Sequence, residues 1–242
     1  MDAVAIIPAR GGSKGIPRKN LQLLAGKPLI VWTIERALST PGLLTVVSTE
    51  DEEIAEVARA DGATVVARPR ELAQDTTATE PVVLHALDQL RAEIGADPAV
   101  TMLLQATSPV RRPDTLRRAL DQFATKDVDA LVGVVPCPPF LWGVDDSGDT
   151  VAHWDWRRRL RRQDMSPSHL RYRETGSIYV TRTDIYRTTG NRLGGRIGLF
   201  IMDEDEGVDI DTLHDLEMAT ALMNSEAHRW SDFENRLSTD DH

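Results

Sequence analysis

Short apolar runs that alternate with helix-length amphipathic segments constrain this chain more than anything else in it. Residues 3–8, 45–48, 63–67, 100–105 and 130–135 are brief and predominantly apolar, as strands covered on both faces are. Between them, apolar residues recur at helical spacing: Leu29, Ile30, Ile34 and Leu38 within 28–38, and Val83, Leu84, Leu87 and Leu90 within 80–94. Further helices are predicted over 51–60 and 113–123. Such alternation predicts an α/β, Rossmann-like fold, a mostly parallel sheet with helices on both faces. The rhythm breaks at Pro136-Cys137-Pro138-Pro139. It resumes with strands over 176–181 and 197–202 and a helix over 213–223. The chain therefore reads as one α/β domain, 1–135 and 176–223, interrupted by an insertion, 136–175. A polar tail, 224–242, is expected to fray.

At 242 residues the chain can build one sizeable core. No run approaches the roughly 18 apolar residues of a membrane span, and no secretory leader is expected. The single cysteine, Cys137, excludes an intrachain disulfide framework and suits a cytoplasmic setting. A formal net charge of −10 argues against a nucleic-acid partner, which calls for a basic face.

Against that acidic background the segment Arg10-Gly11-Gly12-Ser13-Lys14-Gly15-Ile16-Pro17-Arg18-Lys19-Asn20 combines three glycines with four cations. Glycines let backbone N–H groups turn toward a ligand, and a ring of such groups cradles an anion. The loop is neither Gly-x-x-x-x-Gly-Lys-Ser/Thr nor Gly-x-Gly-x-x-Gly, which argues against a P-loop ATPase and a dinucleotide-dependent dehydrogenase. Further along, the alternation in Val208-Asp209-Ile210-Asp211 points both carboxylates to one side. Such a pair suits Mg²⁺, which shares its remaining positions with water and phosphate oxygens. The same residues could equally cap the helix that follows. Gln105 and Arg68 stand at strand ends, where ligands gather in a doubly wound sheet. Residues 75–79 lead into a helix whose N-terminus could hold a polar ligand group. The arginine run within 157–162 reads either as a solvated face or as an anion-binding patch. The histidines lack metal-ligand spacing and no Ser or Cys nucleophile motif is present, so covalent catalysis is not expected. Cations for phosphates, carboxylates for a metal and polar loop ends for base and sugar together describe a nucleoside triphosphate site.

The stretch Ile6-Ile7-Pro8-Ala9 followed by that loop resembles the N-terminal motif of the CMP-sialic acid synthetases (acylneuraminate cytidylyltransferases). The resemblance continues through Val47-Ser48-Thr49-Glu50-Asp51, Arg68-Pro69, Leu72-Ala73-Gln74-Asp75-Thr76 and Leu103-Leu104-Gln105-Ala106-Thr107-Ser108-Pro109. It resumes at Tyr172-Arg173-Glu174-Thr175-Gly176-Ser177-Ile178-Tyr179 and at Val208-Asp209-Ile210-Asp211, in the family's order. It implies a nucleotidyltransferase-type fold with a small dimerisation insertion. It also implies an enzyme that activates a 2-keto-3-deoxy sugar acid, a sialic acid-like nonulosonate, with CTP. The anomeric hydroxyl would attack the Mg²⁺-bound α-phosphate, giving the CMP-sugar and pyrophosphate; an eight-carbon octulosonate or a phosphonate is the alternative acceptor. By the family's pattern Arg10 and Lys19 hold the triphosphate, with Gly11, Gly12, Ser13 and Lys14 around it. Asn20, Arg68, Thr79 and Gln105 contact cytidine and sugar, and Asp209 and Asp211 bind Mg²⁺. The family is homodimeric, its insertion reaching the neighbour's site. This makes Arg162, Gln163 and Arg173 candidates for the sugar carboxylate, with Thr175 and Tyr179 near the sugar. Two residues depart from the pattern: Ala106 stands where members often carry Pro, and Thr175 where many sialic acid enzymes carry Asn.

Overall fold

The computed structural model describes residues 2–237, with side chains through Ser225 except that of Arg162. In chain order the elements are β1 (Ala3–Pro8), β2 (Leu23–Leu24), β3 (Lys27–Pro28), α1 (Leu29–Leu38), β4 (Leu43–Thr49), α2 (Glu52–Ala60), β5 (Thr64–Ala67), α3 (Thr79–Ile94), β6 (Val100–Leu104), α4 (Thr115–Thr125), β7 (Ala130–Cys137), β8 (Trp142–Val144), β9 (Thr150–Ala152), β10 (Arg171–Arg182), α5 (Thr183–Thr189), β11 (Ile197–Ile201) and α6 (Leu213–Leu237). Seven strands form one sheet in the order β11-β7-β10-β6-β1-β4-β5. Its pairings are parallel except the two that β10 makes. The mostly parallel α/β sheet is as expected. The reversed strand near its middle is new, because hydrophobic periodicity carries no strand direction.

The side-chain pattern of β1 shows what holds the layers together. Ala3, Ala5 and Ile7 join a core with Ile34 of α1, Ile54 of α2 and Leu116 of α4. Val4 and Ile6 join the opposite core with Leu87 and Leu90 of α3 and Tyr186 of α5. Each buried Ile or Leu of this kind contributes about 1.5–3 kcal/mol, and consecutive residues feed opposite faces. From β1 the chain builds outward to β4 and β5, then crosses back to place β6 on the other side of β1. That reversal opens a crevice at the carboxyl ends of β1 and β6, where open α/β sheets bind ligands.

Two expectations need correction. The break read at Pro136 and the resumption read at 176 are both displaced: β7 and β10 run on as a two-stranded ribbon, with Arg171 opposite Cys137 and Glu174 opposite Val134. Beyond it β8 and β9 form a hairpin, turned where the Asp145 carboxylate accepts the N–H groups of Ser147 and Asp149. The tail does not lose regular structure at 224: α6 continues to Leu237. Residues 238–242 of that tail lie outside the described residues. No described helix is long and apolar enough to cross a membrane.

Candidate active site

A cleft of about 640 Å³ opens at the crevice, a volume typical of small-molecule sites. Its walls come from Arg10, Gly12, Ser13, Lys14, Lys19 and Asn20 after β1, from Arg68 after β5, and from Asp75, Thr77, Ala78 and Thr79 at the start of α3. Gln105, Ala106 and Thr107 after β6, with Asp209 and Asp211, complete it. Backbone and side chains stitch these loops together. The Asn20 amide donates to the Arg10 carbonyl at 3.0 Å. The Ile210 N–H donates to the Thr107 carbonyl at 2.8 Å, while Lys19 Nζ donates to the Ile210 carbonyl at 2.7 Å. Gly15 packs so closely on Asp211 that a Cβ would collide with its carbonyl. Beneath them Ile16, Leu24, Leu29, Val110 and Ile210 close into a small apolar cluster with Ala219 and Met223 of α6.

Both carboxylates, Asp209 and Asp211, line the cleft. Asp211 Oδ1 receives Lys19 Nζ at 2.8 Å, and Ser108 Oγ lies 3.5 Å from Asp209 Oδ1. Neither residue caps α6. That task falls to Thr212 and Asp215, whose side chains take each other's backbone N–H groups at 3.2 and 2.8 Å. Burial pushes the Asp209 carboxyl up; a Thr107 hydrogen bond pulls it down, and the Asp211 charge adds to the rise. Two crowded carboxylates, one of them half-buried, are an environment that a divalent cation relieves. No group of three or more His, Cys, Asp or Glu among the described residues could hold a metal. A Mg²⁺ shell here would draw its other oxygens from substrate and water.

The cations are already partnered. Asp75 receives Arg10 Nη1 at 2.6 Å and stands 3.2 Å from Lys14 Nζ; Lys14 and then Arg10 hold its carboxyl below the usual range. Arg68, almost fully buried, pairs with Glu50 and donates to the Ala9 carbonyl. Its buried Nε–H has no partner among the described residues, and Arg68 is one of the residues that line the cleft. Arg18 turns away to Asp51 and Glu53.

Several expected residues lie elsewhere. Gly11 donates its N–H to Glu50 Oε1 at 2.8 Å and packs on Asp51, so its amide faces β4 and not the cleft. Thr175 is buried, its hydroxyl on the Gly133 carbonyl at 3.1 Å. Tyr179 points into the α3 core by strand alternation and donates to Glu174; burial and that carboxylate push it up to about 12. Arg173 donates to the Gly207 carbonyl at 3.1 Å, two residues before Asp209. Gln163 is exposed in the insertion, and the Arg162 side chain lies outside the described ones. Near by, Arg159 stacks on Phe140 and Trp154 and Arg157 on Trp156, so the arginine run is partly an aromatic-packing device.

Sequence reasoning missed Glu50, Asp75 and Arg111. The first two sit inside motifs quoted above, but their role as partners of cleft cations depends on loop paths. Arg111 is fully buried beneath the cleft, held by four hydrogen bonds of 2.8–3.0 Å to Thr33, Gln105 and Ser177.

Two solved structures share this architecture. The CMP:2-keto-3-deoxy-manno-octonic acid synthetase complexed with CTP superposes with a TM-score of 0.69 at 20% identity, covering 93% of this chain and 100% of that one. The 4-diphosphocytidyl-2C-methyl-D-erythritol synthase from Anaerococcus prevotii does so with a TM-score of 0.64 at 10% identity, covering 92% and 98%. The fold is thus that of the nucleotidyltransferase class. The sequence profile described as Cytidylyltransferase matches residues 4–182, and the chain belongs to the cytidylyltransferase family. N-acylneuraminate cytidylyltransferase A of Danio rerio is 36% identical over 212 residues, 86% of this chain and 47% of the relative. The N-acylneuraminate cytidylyltransferase of Streptococcus agalactiae serotype III is 31% identical over 222 residues, 89% of this chain and 52% of the relative. This chain spans about half the length of the curated relatives it matches.

Proposed function

We propose that this protein transfers the cytidylyl group of CTP to the anomeric hydroxyl of a 2-keto-3-deoxy sugar acid, a sialic acid-like nonulosonate, releasing pyrophosphate. The observation that carries this reading is the meeting of Arg10, Lys14 and Lys19 with Asp209, Asp211 and Gln105 in one switch-point cleft of a cytidylyltransferase-family chain. Both similar relatives are named for N-acylneuraminate, which favours a nonulosonate over an eight-carbon acid or a phosphonate.

Arg10, Lys14 and Lys19 would exchange their carboxylate partners for the triphosphate, with Gly12 and Ser13 lining its path. Asn20, Arg68 and Thr79 would orient the nucleoside. Gln105 would meet the acceptor sugar at the opposite wall. Asp209 and Asp211 would hold Mg²⁺, which polarises the α-phosphate and lowers the pKa of a hydroxyl beside it. The anomeric oxygen forms its bond to the α-phosphorus as the bond to the β-phosphate oxygen breaks. Lys19, beside Asp211, is placed to neutralise charge gathering on the phosphates. Assembly as a homodimer through the insertion, whose Leu141, Trp142, Val144 and Trp156 are exposed, would bring Arg162 and Gln163 to the neighbour's cleft. A cytoplasmic setting agrees with the single free cysteine.

Pyrophosphate release with Mg²⁺, crossing the four nucleoside triphosphates with nine- and eight-carbon 2-keto-3-deoxy acids, tests the reading. Release with CTP and a nonulosonate is expected. Silence with every acid, or a preference for another nucleotide, overturns it.

A further inference from the structure

Arg111 is a buried cation with no direct carboxylate partner among the described residues, and the proposed reaction has not used it. Its surroundings explain its position. Opposite Gly133, between the Glu174–Val134 and Tyr179–Val132 pairs, β10 carries the four residues Thr175 to Ile178. This bulge frees carbonyls from the ladder. Arg111 Nη2 donates to the Ser177 carbonyl at 2.8 Å and to the Gln105 carbonyl at 2.9 Å. Its Nε donates to Ser177 Oγ at 3.0 Å, and Nη1 to Thr33 Oγ1 of α1 at 2.9 Å. One guanidinium therefore ties the end of β6 to the bulge of β10 and fastens both to α1. At the crest of the bulge Gly176 has φ +72, a conformation that favours glycine, and a Cβ there would displace Gln105 Oε1. Gln105 is thus held by Arg111 through its carbonyl, its amide lies beside the Gly176 bulge, and the residue lines the cleft.

We propose that Arg111 is a positioning residue: it sets the Gln105 amide against the acceptor substrate while touching no substrate itself. The planar fork suits this, because three separate nitrogens reach two carbonyls and two hydroxyls at once, an arrangement the single nitrogen of a Lys ammonium reproduces poorly. The nearest opposing charges are Glu206 and Asp209, so the cation is steadied by dipoles at contact range and by carboxylates further off.

The kinetic half of this inference rests on the proposed function; the spectroscopic half does not. Gln105→Ala sets the reference by raising the KM of one substrate. Arg111→Lys is expected to raise that same KM about tenfold and to leave the other within about twofold. Combined with Gln105→Ala it should add less than about twofold, because both changes remove one contact. Arg111→Met should do the same more severely where it folds. Unchanged KM values with a lowered Tm, or effects that multiply in the double variant, overturn the assignment. Independently of turnover, the side-chain amide resonances of Gln105, identified by their loss in Gln105→Ala, should shift and broaden in Arg111→Lys. Unmoved resonances overturn the assignment as well. A wild-type protein inactive with every acid would sink the substrate reading alone, and the resonances would still decide the role of Arg111.

Discussion

At the scale of single residues, the cleft of the free protein is a set of exchanges waiting to happen. Asp75 occupies Arg10 and Lys14, the cations that the triphosphate would claim. An uncharged side chain there should make CTP binding about two- to fivefold tighter, the size of effect that one exposed ion pair allows. Calorimetry on Asp75→Asn checks this, and weaker binding would show that Asp75 helps to hold the nucleotide. Asp211→Asn should lower kcat by about a hundredfold or more with Tm nearly unchanged, since Asp211 is exposed and its loss removes half of the carboxylate pair that would hold Mg²⁺ at the reacting phosphate. A variant with full turnover would remove Asp211 from the chemistry. Much of this was legible in the chain. The alternation of Val208-Asp209-Ile210-Asp211 places both carboxylates in the cleft, and the cations after β1 are there too. Tyr179 and Thr175 were not legible, because nearness in a motif does not say which way a strand turns its side chains. Gly11 illustrates the same limit, for its neighbour Gly12 lines the cleft while its own N–H serves Glu50.

At the scale of elements, α2 and α6 each couple local structure to the cleft. Asp51 caps α2 through the Ile54 N–H at 3.1 Å while Arg18 donates to both of its oxygens. The Arg18 hydrogen bond holds the Asp51 carboxyl below its ordinary value against the opposing effect of burial. A lowered folded-state pKa stabilises above the unfolded value of about 3.9 and is lost as pH falls through the folded one. Asp51→Asn keeps an acceptor for the cap, so its unfolding free energy should lie below that of the wild type at neutral pH. The two should converge below about pH 4. Denaturant titrations at several pH values check this, and parallel curves would refute the charge contribution. In α6, Ala219 is fully buried on the cluster that contains Ile210. Ala219→Leu should cost about 1–3 kcal/mol by overpacking. Because Ile210 separates the two carboxylates, activity should fall further than the loss of folded protein explains. Activity and thermal unfolding measured side by side decide it. The hairpin of β8 and β9 left a signal in the turn Asp145-Asp146-Ser147-Gly148, but three-residue strands are too short for alternation to stand out.

At the scale of the whole molecule, the alternating pattern made the mostly parallel, helix-covered sheet readable but carried no strand order. The reversed β10 was not readable. Yet that strand carries the bulge beside Gln105, and its first residues extend into the ribbon that bears the insertion. The self-neutralised cleft has one more consequence, and it concerns encounter. The chain as a whole carries a formal charge of −10, and Arg10, Lys14 and Lys19 stand beside carboxylates within 3.2 Å. An approaching nucleotide polyanion therefore meets an acidic body before it meets any unshielded cation. Added salt shortens the reach of that repulsion. The association rate of CTP, followed by stopped-flow, should accordingly stay level or climb as ionic strength rises to about 0.15 M. A steep decline would mean that the cations already project their field into solvent. In the arrangement described here capture is a contact-range event, begun only when phosphate is close enough to compete with Asp75 for its partners.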